Sequence, residues 1–518
     1  MQDAHDVGLT LGTLVLRALA RHPDRTAFTW EGGELSYRGV ADLIGRIQKV
    51  FLDHGLQRGD RVAVLSANRA DGWCAGVAAQ LCGAATTALH PKGALSDHQF
   101  QLEDCDAAFL VADAEAFGEV GAALSARPGM TTFTLTAAEY GVDLSRAVAR
   151  IGAATARDLA QASDIATLNY TGGTTGRSKG AFRRHQALVA SAVAILADFE
   201  LPRRPNYLAV APISHVSGTK VLPTLIRGGC VHLMSGFDTG EVLTAIERRR
   251  INFTLMVPTM LYSLLDDARL AKADLSSLEL LLYGASPMSP TRLAEGMDRI
   301  GPVFAQLFGQ TECYPITYLP KEDHDPAHPQ WLASCGFPVS SNRIALLDDE
   351  GHAVPLGEAG EICVRGPSMM EGYWNQPEQT EEAMQFGWLH TGDVARADEQ
   401  GRLYIVDRKK DMIVTGGFNV YTRAVEDVLS AHPAVAMAAV IGVPDPRWGE
   451  AVTAIVVCHP GEQVSARTLI QQVKDLKGAA HAPKKLEFVD ALPLTSLGKI
   501  DKKALRARYW AGQSRQIG

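Results

Sequence analysis

Short apolar runs recur along this chain with helix-length segments between them, and that alternation restricts the fold more than any single residue does. Arg61–Ser66 and Ala107–Ala112 read as strands with both faces buried, and Gly76–Cys82 between them has helical spacing. Such β-α-β order builds wound units around a mainly parallel sheet. A second set follows, with strands expected at Tyr207–Ala211, Phe253–Val257 and Leu278–Tyr283 and a helix at Gly240–Arg249. From about Arg343 the texture changes. Ile344–Leu347, the turn Asp348-Asp349-Glu350-Gly351 and Glu361–Arg365 suggest hairpins of a small β layer. Beyond Asp411 a compact segment alternates strands (Ala436–Val443, Ala451–Val457, Lys485–Val489) with helices (Arg423–Ala431, Ala466–Leu476). The expected class is therefore α/β. A large N-terminal domain over 1–409 holds two wound α/β subdomains and the β layer, and a small α+β domain covers 410–518. The charged run Asp407-Arg408-Lys409-Lys410-Asp411 marks the boundary.

Composition matters mainly for what it excludes. The net charge of −8 provides no basic field for nucleic acid or an acidic membrane. The N-terminus, Met1-Gln2-Asp3-Ala4-His5-Asp6, lacks the basic and apolar regions of a secretion signal. The longest apolar stretch, Ala187–Ala197, is too short to span a bilayer. Eight scattered cysteines without a CxxC pair argue against a zinc or redox motif and fit the reducing cytoplasm. Oligomeric state stays open between monomer and homodimer.

The strongest local signal is Tyr170-Thr171-Gly172-Gly173-Thr174-Thr175-Gly176-Arg177-Ser178-Lys179-Gly180. Its glycines let backbone N–H groups approach an anion, and its hydroxyls and Lys179 are phosphate donors. A helix is expected to follow from Ala187. A plain surface loop would not need this density of hydroxyls and cations. The sequence is not a Walker A loop, because Arg177 follows Gly176 and Gly180 follows Lys179.

Other motifs follow in order: Ala211-Pro212-Ile213-Ser214-His215-Val216-Ser217-Gly218, Tyr283-Gly284-Ala285-Ser286, Phe308-Gly309-Gln310-Thr311-Glu312, Gly360–Gly366, Gly372-Tyr373-Trp374-Asn375, Trp388–Asp393, Asp407–Ile413, Thr415–Val420 and Gly498-Lys499-Ile500. With TGGTTGRSKG, the ordered set resembles the adenylate-forming superfamily, and within it the acyl-CoA synthetases and other AMP-dependent ligases. It covers about residues 10–507.

The resemblance implies a reaction in two steps. A carboxylate displaces pyrophosphate from ATP to form acyl-AMP, and the acyl group then passes to a thiol, with Mg²⁺ and coenzyme A taking part. The first step brings like charges together, at roughly 4 kcal/mol for each pair ~4 Å apart at an effective dielectric of ~20. Cations and fixed donors must offset this. By resemblance, Thr171–Lys179 grips the β- and γ-phosphates. Phe308, where the family usually has Tyr, stacks on adenine beside the Gly284-Ala285-Ser286 backbone, with Gly309 and Gln310 adjoining the nucleotide. Thr311 bonds the α-phosphate and Glu312 holds Mg²⁺. Asp393 and Arg408 hold the ribose, and Lys499 bridges carboxylate and α-phosphate. The resemblance also makes the C-terminal domain mobile about Lys410, with Gly416, Gly417 and Phe418 lining a pantetheine tunnel. Trp448 belongs at the tunnel mouth or in the core, and Thr422 replaces a common proline.

For the acyl pocket the resemblance nominates His215, Val216, Thr219, Tyr283, Gly284 and Gln310. No Asp stands in Ala211–Gly218 to pair with an amine, which disfavours amino acids. Lys220 is expected to be solvated, with pairing to a distal polar group of the substrate as the alternative. The leading reading is an acyl-CoA synthetase for a fatty, aromatic or bulky alicyclic acid. An acyl-AMP ligase serving a carrier protein and a P-loop ATPase or kinase are the competitors.

Overall fold

The computed structural model describes residues 8–171, 178–286, 288–416, 418–495 and 499–510. Four sheets organise them. The expected strands appear within a few residues of their limits, at Arg61–Leu65, Phe109–Ala112, Phe253–Met256 and Leu280–Gly284 among others. The helix expected at Gly240–Arg249 runs Thr239–Arg249. Asp238 caps it by accepting from the Glu241 N–H, and Arg248 and Arg249 lie in its last turn, where the helix dipole favours cations.

The two large sheets do not divide the chain as the sequence order suggests. Thr26–Trp30, from the first part of the chain, pairs in parallel with Cys230–Leu233 in the nine-stranded sheet. The eight-stranded sheet is completed by Ile165–Tyr170, Gly180–Arg184 and Gly372–Tyr373. Apolar patterning fixes which face of a strand is buried but not which strand lies beside it. Helices Ala70–Leu81, His185–Asp198 and Val221–Ile226 contribute to one continuous apolar core with both sheets. Phe28 and Phe253 are fully enclosed there, and each such burial contributes ~1.5–3 kcal/mol.

The expected β layer is a four-stranded antiparallel sheet of Arg343–Leu347, Gly360–Arg365, Leu389–Ala397 and Leu403–Arg408. After the turn at 409–412 the chain enters a separate sheet containing Ile413–Thr415, Phe418–Val420, Val435–Asp445, Gly449–Cys458 and Lys485–Phe488. Helices Thr422–Ser430 and Ala466–Lys477 pack on this sheet around their own apolar cluster. No helix among the described residues is long and apolar enough to cross a membrane, and all eight cysteines are free.

Candidate active site

The glycine-rich segment joins two antiparallel strands, with Tyr170 opposite Gly180. The Thr171 N–H donates to the Lys179 carbonyl at 2.9 Å, which closes the base of the loop. The helix expected after it starts at His185, one strand later. Gly172, Gly173, Thr174, Thr175 and Gly176 lie outside the described residues.

Lys179 reaches back from this base. Its Nζ lies 4.7 Å from the Tyr373 ring centroid, and the Tyr373 hydroxyl donates to Glu312 Oε1 at 2.8 Å. Burial and the Glu312 charge push the Tyr373 phenol well above its usual pKa, so it remains a donor. One tyrosine thus ties the phosphate loop to the carboxylate expected to hold the metal. Among the described residues no side-chain hydrogen bond is found at the second oxygen of Glu312, and one carboxylate beside substrate phosphates suits Mg²⁺. Thr311 and Glu312 sit in an irregular segment rather than capping a helix.

The pair expected to hold the ribose is set by sheet register. Asp393 lies opposite Arg408 in neighbouring strands, and Arg408 Nε donates to Asp393 Oδ1 at 3.2 Å. Gln310 Nε2 donates to Asp393 Oδ2 at 2.6 Å and to the Thr391 carbonyl at 2.8 Å. Asp393 is 4% exposed. It stands beside a bulge, since Cys363 faces His390 while Glu361 already faces Val394. Gly392 in that bulge has φ +71°, a conformation that favours glycine. Asp393 raises the pKa of Arg408 and secures its charge. Gln310, expected both beside the nucleotide and at the acyl pocket, turns its amide towards Asp393.

Beside the expected adenine position, Phe308 ends the strand Phe304–Phe308. A side chain at Gly284 would meet the Leu307 carbonyl at 2.3 Å. Ala285 has φ +68°, a strained conformation for a residue with a Cβ. The Gly284-Ala285-Ser286 turn is therefore a specifically shaped backbone surface.

Lys499 enters from the C-terminal segment. Its backbone is fixed by Thr495, whose N–H donates to the Lys499 carbonyl at 2.7 Å and whose Oγ1 accepts the Lys499 N–H at 3.2 Å. Burial lowers its pKa to about 8. Arg408 and Lys410 push the same way, and Asp393 and Glu312 oppose them. That electrostatic coupling brings the C-terminal lysine together with both the ribose pair and the metal carboxylate. Lys410 lies in the turn at 409–412, where burial and Arg408 lower its pKa. Lys409 anchors the turn by donating its N–H to the Gly392 carbonyl at 2.8 Å.

On the C-terminal sheet, Gly416 has φ +56°, and a Cβ there would meet the Trp448 ring at 2.7 Å. Trp448 is 36% exposed and Phe418 63%, so Trp448 covers a surface loop rather than filling a core. Gly417 lies outside the described residues. Thr422 is buried, and its hydroxyl donates to Asp407 and accepts from Lys502 at 2.6 Å.

The acyl side departs most from expectation. His215 stacks edge-on against His90 with centroids 4.4 Å apart. Burial, with a smaller contribution from His90, lowers its pKa to about 3, so it is neutral at working pH. Val216 and Thr219 are partly exposed beside it. Tyr283 does not offer its side chain to a pocket; it is enclosed against Phe304, and its hydroxyl lies 3.0 Å from His324 Nε2. The larger correction concerns Lys220, which is 0% exposed rather than solvated. Its Nζ donates to the Tyr314 hydroxyl, to Thr219 Oγ1 at 2.8 Å and towards the Val216 carbonyl at 3.5 Å. Burial lowers its pKa well below the usual lysine range, and no carboxylate partner is found among the described residues.

Sequence reasoning gave no role to Tyr373, His90 or Tyr314. Only Tyr373 carried a signal, because it stands in the Gly372–Asn375 motif.

Lys179 tied through Tyr373 to Glu312, and Asp393 paired with Arg408, match the arrangement expected for making an acyl adenylate. The chain belongs to the AMP-binding enzyme family, whose profile matches residues 15–374, with the family's C-terminal domain matching 424–499. It is 43% identical to a medium/long-chain-fatty-acid–CoA ligase, FadD8 of Mycobacterium tuberculosis, over 98% of this chain and 91% of that protein. It is 36% identical to a feruloyl-CoA synthase from Amycolatopsis over 96% and 99% of the two chains. Among solved structures, the amide bond synthetase McbA from Marinactinospora thermotolerans superposes with a TM-score of 0.89 at 32% identity, covering 96% of this chain and 99% of that one. The protein is an AMP-forming acid–thiol ligase of the acyl-CoA synthetase type, and such enzymes use ATP, Mg²⁺ and coenzyme A.

Proposed function

We propose that residues 1–409 form the nucleotide- and acid-binding domain and 410–518 a moving domain that turns about Lys410. Lys179 and Thr171, with the loop they close, hold the β- and γ-phosphates. Thr311 donates to the α-phosphate, Asp393 accepts from the ribose hydroxyls, and Arg408 donates to the same sugar. Glu312 would hold Mg²⁺, which when bound supplies positive charge to the polyphosphate. The Lys499 ammonium draws the incoming carboxylate to the α-phosphorus and stabilises charge developing there. As the C–O–P link forms, the bond to pyrophosphate breaks. Rotation then withdraws Lys499 and presents Gly416, Gly417 and Phe418 to the thiol. The thiol sulfur takes the acyl carbon, loses its proton and releases AMP.

The observation that carries this reading is the electrostatic coupling of Lys499 to Arg408, Asp393 and Glu312. His215, Val216, Thr219 and Gly284 bound an apolar acyl site with a neutral imidazole at its entrance. This favours a fatty, aromatic or bulky alicyclic acid, in line with the fatty-acid and feruloyl substrates in the names of the two relatives. The eight free cysteines favour a cytoplasmic setting.

Purified protein given ATP, Mg²⁺, CoA and a panel of aliphatic, aryl and polycyclic acids should yield AMP, pyrophosphate and acyl-CoA. Release of ADP would contradict the reading. A carrier protein as acceptor is the second reading, supported by 31% identity to a fatty acid–[acyl-carrier-protein] ligase, ScoC of Streptomyces coeruleorubidus. Accumulation of acyl-AMP without thioester would select it.

A further inference from the structure

Three ligand-bearing side chains outside the proposed catalytic set meet on the four-stranded sheet. Cys363 and His390 lie directly opposite each other in neighbouring strands. Glu361 is two residues before Cys363, so its side chain points to the same face. Cys363 Sγ lies 3.4 Å from His390 Nδ1, and His390 Nδ1 lies 3.1 Å from Glu361 Oε2. All three ligand atoms fall within 4.8 Å of one another. Metal–ligand bonds of ~2.0–2.3 Å at tetrahedral angles separate neighbouring ligand atoms by roughly 3.3–3.6 Å. The two separations made by His390 Nδ1 are close to those edges before any ion is added.

The surroundings already orient two of the ligands. His390 Nε2 lies 3.2 Å from the Gln385 carbonyl, which can only accept. The Nε2 proton therefore sits there, and Nδ1, which donates to Glu361 Oε2 in the absence of an ion, is the nitrogen that faces the cluster. Such a carbonyl behind a ligating histidine is a recurrent feature of metal sites. Glu361 Oε1 accepts the Gly392 N–H at 2.8 Å, which leaves Oε2 towards the cluster. One cation already faces this oxygen: Lys409 Nζ at 3.4 Å, which also pairs with Asp349 at 2.5 Å. A metal ion would take its place at Oε2, and Asp349 would retain the lysine.

We propose that Cys363, His390 and Glu361 form a binding site for one borderline-soft divalent metal ion of the zinc class, on the sheet that carries Asp393. A thiolate–imidazole–carboxylate set suits such an ion rather than Mg²⁺. On binding, the Cys363 S–H proton and the Nδ1 proton shared with Glu361 pass to solvent as the metal–sulfur and metal–nitrogen bonds form, without any change of oxidation state. Thiolate and carboxylate together balance the ion's two charges. The site does not use Glu312 and does not depend on the acid or thiol used.

The test uses the full chain, treated with chelator, exchanged into chelator-free buffer under a non-thiol reductant and titrated with Co²⁺. A thiolate-to-cobalt charge-transfer band should grow to saturation at one equivalent and vanish when Zn²⁺ is added. Zn²⁺ should also raise the melting temperature, because the ion binds the folded state. Cys363→Ser and His390→Gln should each weaken Co²⁺ binding by more than about tenfold, the low end of what even an outer partner of a metal ligand costs. Cys363→Ala serves if the serine disturbs packing. Acyl-AMP formation by the Cys363 variants should match the parent, which shows that they fold and separates this test from that of the proposed activity. Two results would overturn the proposal. One is no band from the folded parent protein, which would mean the three residues only hydrogen-bond to one another. The other is an undiminished band in Cys363→Ser.

Discussion

The proposed ribose pair and the proposed catalytic lysine are built differently. Asp393 and Arg408 face each other across a ladder, and Gln310 and a bulge hold the carboxylate in place. Their geometry exists before ATP arrives. Lys499 is one long side chain near the end of the C-terminal segment, fixed locally through Thr495. Burial lowers its pKa, and Arg408 and Lys410 push the same way against Asp393 and Glu312. The first region is equipped to bind, and the second gains further favourable partners when phosphate and carboxylate are present. Binding and chemistry should therefore respond separately to mutation.

The largest separation is expected from Lys499→Ala. Acyl-AMP formation, measured by pyrophosphate exchange, should fall by about 10²–10³, the usual effect of removing one donor to developing charge. Thioester formation from supplied acyl-AMP should be largely spared, and equal loss of both would erase the contrast. Asp393→Ala should act on the other side. It removes the acceptor of two hydrogen bonds and leaves a guanidinium unpaired. KM for ATP should rise roughly 10–100-fold, as expected from ~1.5–3 kcal/mol for a hydrogen bond to a charged group. The order of preference among acids should not move. Lys410→Pro fixes φ in the joining turn. It should slow the thioester step more than acyl-AMP formation in single-turnover measurements, and equal slowing would reject Lys410 as the pivot.

The smallest effect is on the pH profile. A cation whose pKa is lowered to about 8 loses its charge as pH rises through that value. In kcat/KM for ATP the alkaline limb should therefore fall from about pH 8. Bound phosphates favour the ammonium, so the limb in kcat should lie higher. Coincident limbs would mean that Lys499 does not meet the phosphates.

Much of this was legible from order and spacing. The strands came close to their limits because uninterrupted apolar runs can be buried in few other ways. The nucleotide motifs named residues that the fold brings together, Asp393 with Arg408 and Glu312 with Lys179 through Tyr373. Partnerships between distant residues were not legible. Nothing local requires Thr26–Trp30 to pair with Cys230–Leu233, or Lys220 to be enclosed by Tyr314 and Thr219. An isolated lysine is ordinarily solvated, and only tertiary contacts reverse that. The same holds for Cys363, His390 and Glu361: cysteines without close sequence spacing gave no metal signal, and sheet register supplied the proximity that spacing did not.

The ladder around Asp393 is irregular on both sides, since Val394 faces Asp407 while Ala395 already faces Ile405. Side chains alternate faces along a strand, so a one-residue change in length there would rotate the carboxylate or the guanidinium to the opposite side. Diversification of this enzyme can thus proceed by exchanging residues, whereas insertions and deletions across 390–408 would erase nucleotide recognition at once. Libraries aimed at new acids should keep that stretch at constant length.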